Sequence, residues 1–231
     1  MSGRVAALAA LAALAGCDDR KVSPETASRS EAVVAKDTSP ATSAPPVAPS
    51  ASPSASHAPR APRRLCDGEL DKPGRRLPKV TFTAVAAPGT QKPEPRIATT
   101  AGRWTWINFF AAWCGPCKEE MPRLRAFQDK LAANLAVTFV SLDDDERQLM
   151  QLLGGQSEAH GARGVRSALW LEAGKGRSSF LTGLGMKPEP DLPAHVLVDP
   201  TGKVRCVLDG SIEDADLPAI AAIVAPGARI R

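Results

Sequence analysis

One hexapeptide limits this chain more than any other stretch: Trp113-Cys114-Gly115-Pro116-Cys117-Lys118. Two thiols two residues apart can close a small disulfide and reopen it, which is the spacing of redox exchange. The flanks decide how a chain can fold around it. An apolar, strand-like run from Arg103 ends in Asn108-Phe109-Phe110 before the motif. After it, Cys117, Met121, Leu124, Phe127 and Leu131 recur at helical steps of three and four. A strand must therefore deliver the cysteines to the N-terminus of a helix. Free backbone amides there carry partial positive charge and stabilise a thiolate. Cys114 is the candidate attacking thiol, expected exposed, and Cys117, one turn in, resolves the mixed disulfide. Pro116 suits the first helical turn, and Gly115 lets the backbone pass close to a substrate chain. A static cross-link over so small a loop gains little chain entropy. Zinc takes about four ligands, usually from two such pairs; here Cys17, Cys66 and Cys206 stand apart from the motif.

The remaining pattern alternates strands and helices. Strands are expected over Val80 to Val85, Arg103 to Phe110, Leu135 to Leu142, Ser167 to Leu171, Ala194 to Val198 and Val204 to Leu208. The helix after Cys117 is expected to reach about Ala132, with a kink at Pro122. A second starts at Asp143, with Glu146 three residues on, and ends near Gly154-Gly155. A short third covers Arg177 to Leu184, and a last one starts between Asp214 and Pro218 and runs to about Val224. Asp199-Pro200-Thr201-Gly202 is turn chemistry.

The hexapeptide resembles the thioredoxin active site residue for residue. The Asn108 to Cys114 approach, the Cys117-Lys118-Glu119-Glu120-Met121-Pro122 exit and the Leu192-Pro193 to Lys203 segment resemble, more narrowly, the membrane-anchored TlpA/ResA-like branch. The resemblance implies an α/β thioredoxin fold, a central mixed sheet with helices on both faces. It implies a cis bond at Pro193 beside the disulfide, with Leu192 offering its backbone to a substrate chain. It makes Glu120 the candidate proton shuttle for the buried thiol. Asn108 stands where cytoplasmic thioredoxins carry a buried acid, so proton transfer falls to Glu120 or water. Trp113 is expected to line the substrate face with Gly115 and Pro116, and His195 to be a core-edge strand residue.

Residues 1–16 read as a signal peptide: Arg4, then an apolar stretch from Val5 to Ala15 too short to span a bilayer. Leu14-Ala15-Gly16-Cys17 resembles the bacterial lipobox, which implies cleavage before Cys17 and its lipidation. Asp18 and Asp19 resemble an inner-membrane retention signal. From Asp18 to Arg64 there is no Leu, Ile, Phe or Trp, so residues 17–64 are expected to form a lipid-anchored, disordered Pro/Ser/Ala-rich tether, and residues 65–231 one domain. Lipidation of Cys17 would leave four cysteines. Beside Cys114–Cys117 that leaves Cys66 and Cys206, which in an oxidising compartment are expected to bond, contributing roughly 4–5 kcal/mol. The net charge of +4 comes without a dense basic block, so no nucleic-acid footprint is expected.

The expected function is a thiol–disulfide oxidoreductase in the bacterial cell envelope. It is lipid-anchored at the inner membrane, faces the periplasm, and carries no cofactor or metal beyond the Cys114–Cys117 disulfide. The Gly-Pro pair resembles reducing thioredoxins, so electrons are expected to flow to client proteins such as apocytochromes c. An upstream membrane thiol reductase would supply them. One alternative is a copper(I) chaperone using Cys114, Cys117 and His195, although Sco-like chaperones carry a longer cysteine spacing. Another is a peroxidase, for which a Thr-rich cysteine context is missing.

Overall fold

A computed structural model describes residues 65, 66 and 68–227; the expected signal peptide, Cys17 and the tether lie outside the described residues. The chain lays down β1 (Arg75–Arg76), β2 (Thr83–Ala86), β3 (Trp104–Phe110), α1 (Gly115–Lys130), β4 (Leu135–Ser141) and α2 (Glu146–His160). There follow β5 (Ser167–Trp170), α3 (Lys175–Leu184), β6 (Ala194–Val198), β7 (Lys203–Asp209) and α4 (Leu217–Val224). The strands form one sheet in the order β1-β7-β6-β3-β4-β5-β2. β3, β4 and β5 run parallel, while β6 pairs antiparallel with β3, and β7 with β6.

β3 sits in the middle because its sequence is apolar on both faces. Trp106 and Phe110 point into one apolar cluster, with Leu124 and Phe127 of α1, Leu149 and Leu153 of α2 and Ile220 of α4. Ile107 and Phe109 point into the other, with Phe180, Leu181 and Leu184 of α3. The sheet is thus mixed and packed with helices on both faces, as the pattern predicts.

The strands differ from expectation mainly at the edges. The first expected strand begins later, at Thr83, and β1 pairs two exposed arginines with β7. α1 runs continuously through Pro122 to Lys130. α2 departs furthest. Asp145, not Asp143, caps it by accepting the Arg147 amide at 2.9 Å. Asp143 is committed elsewhere: its carboxylate accepts the Ala112 N–H at 2.8 Å and the Ser141 hydroxyl at 2.7 Å. Burial pushes that carboxyl above its ordinary value, against the pull of those two hydrogen bonds. Gly154-Gly155 does not end the helix, because its buried stripe of Leu149, Leu153 and Gln156 continues past them; Gly161 at φ 56° ends it.

The N-terminal edge is held covalently. Cys66 and Cys206 form a disulfide with Cα atoms 5.5 Å apart, closing a loop with a sequence separation of 140. Arg205, beside Cys206, donates to the carbonyls of Leu70 and Lys72 and to Asp199.

Candidate redox site

β3 ends at Phe110 and the chain turns through Ala111-Ala112 into α1. Cys114 is the N-cap of α1, in extended geometry, and its Sγ accepts the Cys117 N–H at 3.2 Å. Pro116 occupies the first turn, and no acidic side chain lies there to oppose a thiolate. Cys114 and Cys117 are joined as a disulfide, with Cα atoms 5.3 Å apart. The Asp143 carboxylate holds the Ala112 amide, fixing the approach to the motif.

Cys114 is not the exposed thiol expected from the sequence. It is 4% exposed. Bonded to Cys117, its sulfur is turned onto the helix end instead of outward. The exposed groups around it are Trp113, at 68%, with Gly115 and Pro116. Trp113 also lines an open cleft with Ala112, Lys118, Gln148, Leu152 and His160. A Cβ added to Gly115 would meet nothing within 4 Å, so a chain can approach the backbone there.

The Leu192–Pro193 bond is cis. Leu192 is half-buried and packs against the cluster that contains both cysteines. The Pro193 carbonyl accepts the Gly210 N–H at 3.0 Å, just after β7.

Glu120 is buried at 0% exposure, unlike its exposed neighbour Glu119. It follows Cys117 by three residues, so the two share one strip of α1. Its Oε1 accepts Asn108 Nδ2–H at 2.7 Å and its Oε2 accepts the Ile212 N–H at 2.9 Å. Hydrogen bonds of this kind favour a charged carboxylate. One turn on, Arg123 donates to the Ile212 carbonyl at 2.6 Å. Both backbone groups of Ile212 are therefore held by α1. Both backbone groups of Gly210 are held by the cis-proline strand, through the Pro193 carbonyl and His195 Nε2 at 3.2 Å. Gly210 adopts φ 83°, a conformation that favours glycine. One short segment thus ties the cysteine helix to the cis-proline strand.

His195 is the residue that sequence reasoning undervalued. It is not at the core edge. It is fully buried, because β6 is flanked by β3 and β7. Its Nδ1 lies 3.0 Å from Trp106 Nε1 and 3.4 Å from Asn108 Nδ2, and its Nε2 lies 3.6 Å from Glu120 Oε2. The signal available was a lone polar residue in the otherwise apolar run Ala194 to Val198, since such a group, once buried, needs partners. With both ring nitrogens engaged, His195 is not available as a third copper ligand beside Cys114 and Cys117. Among the described residues no group of three His, Cys, Asp or Glu side chains could hold a metal ion.

The arrangement can form and break one disulfide at a helix N-terminus, above a buried carboxylate. The Thioredoxin-like protein YneN of Bacillus subtilis (strain 168) is 42% identical over 52 residues, which is 21% of this chain and 30% of that protein. The thioredoxin of Acidithiobacillus ferridurans is 32% identical over 69 residues, 30% of this chain and 56% of its own. This chain therefore spans between 30% and 56% of the length of these two curated relatives. The solved structure of a putative thiol:disulfide interchange protein DsbE from Chlorobium tepidum aligns with 66% of this chain and 97% of its own. The TM-score is 0.47 and the identity 23%. The mixed sheet with helices on both faces is the α/β architecture that the resemblance to thioredoxins implies. The AhpC/TSA family model matches residues 73–207, from just before β1 into β7 and more than half of the sequence, and the chain belongs to that family.

Proposed function

We propose that this protein is a thiol–disulfide oxidoreductase, tethered by lipid to an extracytoplasmic membrane face, that reduces disulfides in client proteins. The observation that carries this reading is Cys114 at the α1 N-cap, its sulfur accepting the Cys117 amide. That geometry favours a thiolate at Cys114 in the reduced protein.

The Cys114 thiolate attacks a client disulfide. One S–S bond forms, the client's bond breaks, and the departing client sulfur takes a proton from water. Cys117 then gives its proton to the Glu120 carboxylate and attacks Cys114, releasing the second client sulfur. Two electrons have passed to the client. A donor dithiol restores them. One of its thiolates attacks Cys114, and Cys117 leaves as thiolate and recovers its proton from Glu120. The donor's second thiolate then attacks the first, forming the donor disulfide and releasing the Cys114 thiolate. Pro193, Leu192, Gly115, Pro116 and Trp113 would receive the client segment. Clients would be apocytochromes c or other assembly proteins, and the donor a membrane thiol reductase. The lipobox-like Leu14-Ala15-Gly16-Cys17 supports the tether, at the inner membrane facing the periplasm.

Reduction of insulin disulfides, with a dithiol as electron source, tests the reading. Activity that is lost in Cys114→Ser supports it, and activity retained in that variant overturns it. Peroxide consumption faster than disulfide reduction would replace it with a peroxidase. A reduction potential near that of thioredoxin, about −270 mV, supports the reducing direction, and a much higher one reverses it.

A further inference from the structure

The partners of His195 assign its hydrogens. The indole Nε1 of Trp106 can only donate, so His195 Nδ1, 3.0 Å away, must accept. Asn108 Nδ2–H also points at that nitrogen, from 3.4 Å. The ring hydrogen therefore sits on Nε2. There it faces two acceptors, the Gly210 carbonyl at 3.2 Å and Glu120 Oε2 at 3.6 Å. A proton on Nδ1 would set N–H against N–H in a site closed to water, since Trp106, Asn108, Glu120 and His195 are all buried.

We infer that His195 is a positioning residue held as the neutral Nε2–H imidazole by Trp106, so that the site's exchangeable proton is confined to Glu120. The inference rests on the oxidoreductase reading for its consequence, though not for its geometry. Asn108 and His195 are paired directly across β3 and β6, so the sheet register sets where both side chains meet the carboxylate. Most other ionisable groups on the enclosing elements stay at the surface: on α1, Lys118, Glu119, Arg125, Asp129 and Lys130, and on β7, Lys203, Arg205 and Asp209, are exposed or half-buried. Nearer the site α1 contributes Cys117 and Arg123, and Arg123 lies 3.5 Å from Asp214 of the segment after β7. Glu213 on that segment is engaged in a capping box with Asp216. β3 contributes only the uncharged Trp106 and Asn108. A second base at His195 would draw the proton taken from Cys117 away from the carboxylate that must return it. The indole removes that competitor.

The test is nitrogen-detected NMR of the ring of His195 in the full chain, from about pH 5 to about 9, where histidine ordinarily titrates. A neutral Nε2–H signature throughout is expected, and an imidazolium signature in that range overturns the inference. Trp106→Phe is expected to make the ring titrate within the range, and an unchanged tautomer in that variant also overturns it. The functional readout is the pH profile of mixed-disulfide resolution. His195→Leu should slow it by about ten- to hundredfold and change its shape. His195→Gln, which keeps one acceptor and one donor, should restore the wild-type profile. A His195→Leu profile that superposes on wild type defeats the inference while leaving the oxidoreductase reading intact. Failure of the wild-type protein to reduce any disulfide defeats the reading, and the tautomer remains testable.

Discussion

Asn108 lies directly opposite His195 across the antiparallel β3–β6 pair, and both side chains reach the carboxylate of Glu120. An amide at position 108 can donate to that carboxylate; an ionised acid there could not. The contact is 2.7 Å, so an aspartate in its place would set two carboxyls where both cannot ionise. Asn108→Asp should therefore raise one carboxyl above its unfolded value. The folded state then binds the extra proton, and stability falls as pH rises through the raised value. Urea unfolding of the variant and the wild type across pH checks this. A stability difference that does not change with pH would refute it.

Glu120→Gln removes the base but keeps most of the volume. Resolution of the mixed disulfide should slow by about 10²–10⁴-fold, while first attack by Cys114 continues. The adduct should accumulate and be visible by mass spectrometry. The amide can accept only one of the two N–H groups now on the carboxylate, so stability should drop by about 1–3 kcal/mol.

Much of this site was legible in advance, and the part that was not has a common cause. The seven-residue apolar run of β3 and the Cys-x-x-Cys at a helix start are local signals. So was the proline before β6. The run Asp143-Asp144-Asp145-Glu146 offers the same capping chemistry at several positions, and the choice is made by the Ala112 amide, 31 residues away in sequence, which claims Asp143. Glu119 and Glu120 look alike in the sequence; packing against β3 buries one and exposes the other. His195 read as an edge residue although the β6–β7 hairpin was legible, because the pairing of β6 with β3 and the closure of Trp106, Asn108 and Glu120 around the ring join residues far apart in the chain. β1 is two residues long, too short for any periodicity.

The turn after β6 should show its own acid response. Asp199 is buried, which by itself raises its carboxyl. Hydrogen bonds from the Thr201 hydroxyl and amide, the Lys203 amide and Arg205 together outweigh this and hold it below its ordinary 3.8. A depressed acid contributes stability above its unfolded value and loses it as pH falls through the folded one. Asp199→Asn should flatten stability against pH below about 3.8. An acid limb as steep as that of wild type would contradict this.

Cys66→Ser and Cys206→Ser should each lower stability by up to about 5 kcal/mol, the chain-entropy value for so long a loop. The Cys114–Cys117 couple, at the N-terminus of α1 and not part of this bridge, should keep its potential. Thermal unfolding and a thiol–disulfide equilibrium, run on the same variants, separate the two effects.

The Cys66–Cys206 bond also sets the route that mechanical load takes through the domain. Tension applied N-terminal to Cys66 bypasses the two-residue β1 ladder and enters β7 directly at Cys206, whose neighbour across the sheet is Leu197 of β6. The sheet is then sheared at an interior strand instead of being unzipped from its weakest edge. A domain pulled from that end should yield only at forces that break several backbone hydrogen bonds together, and reducing the bridge should turn the same pull into peeling.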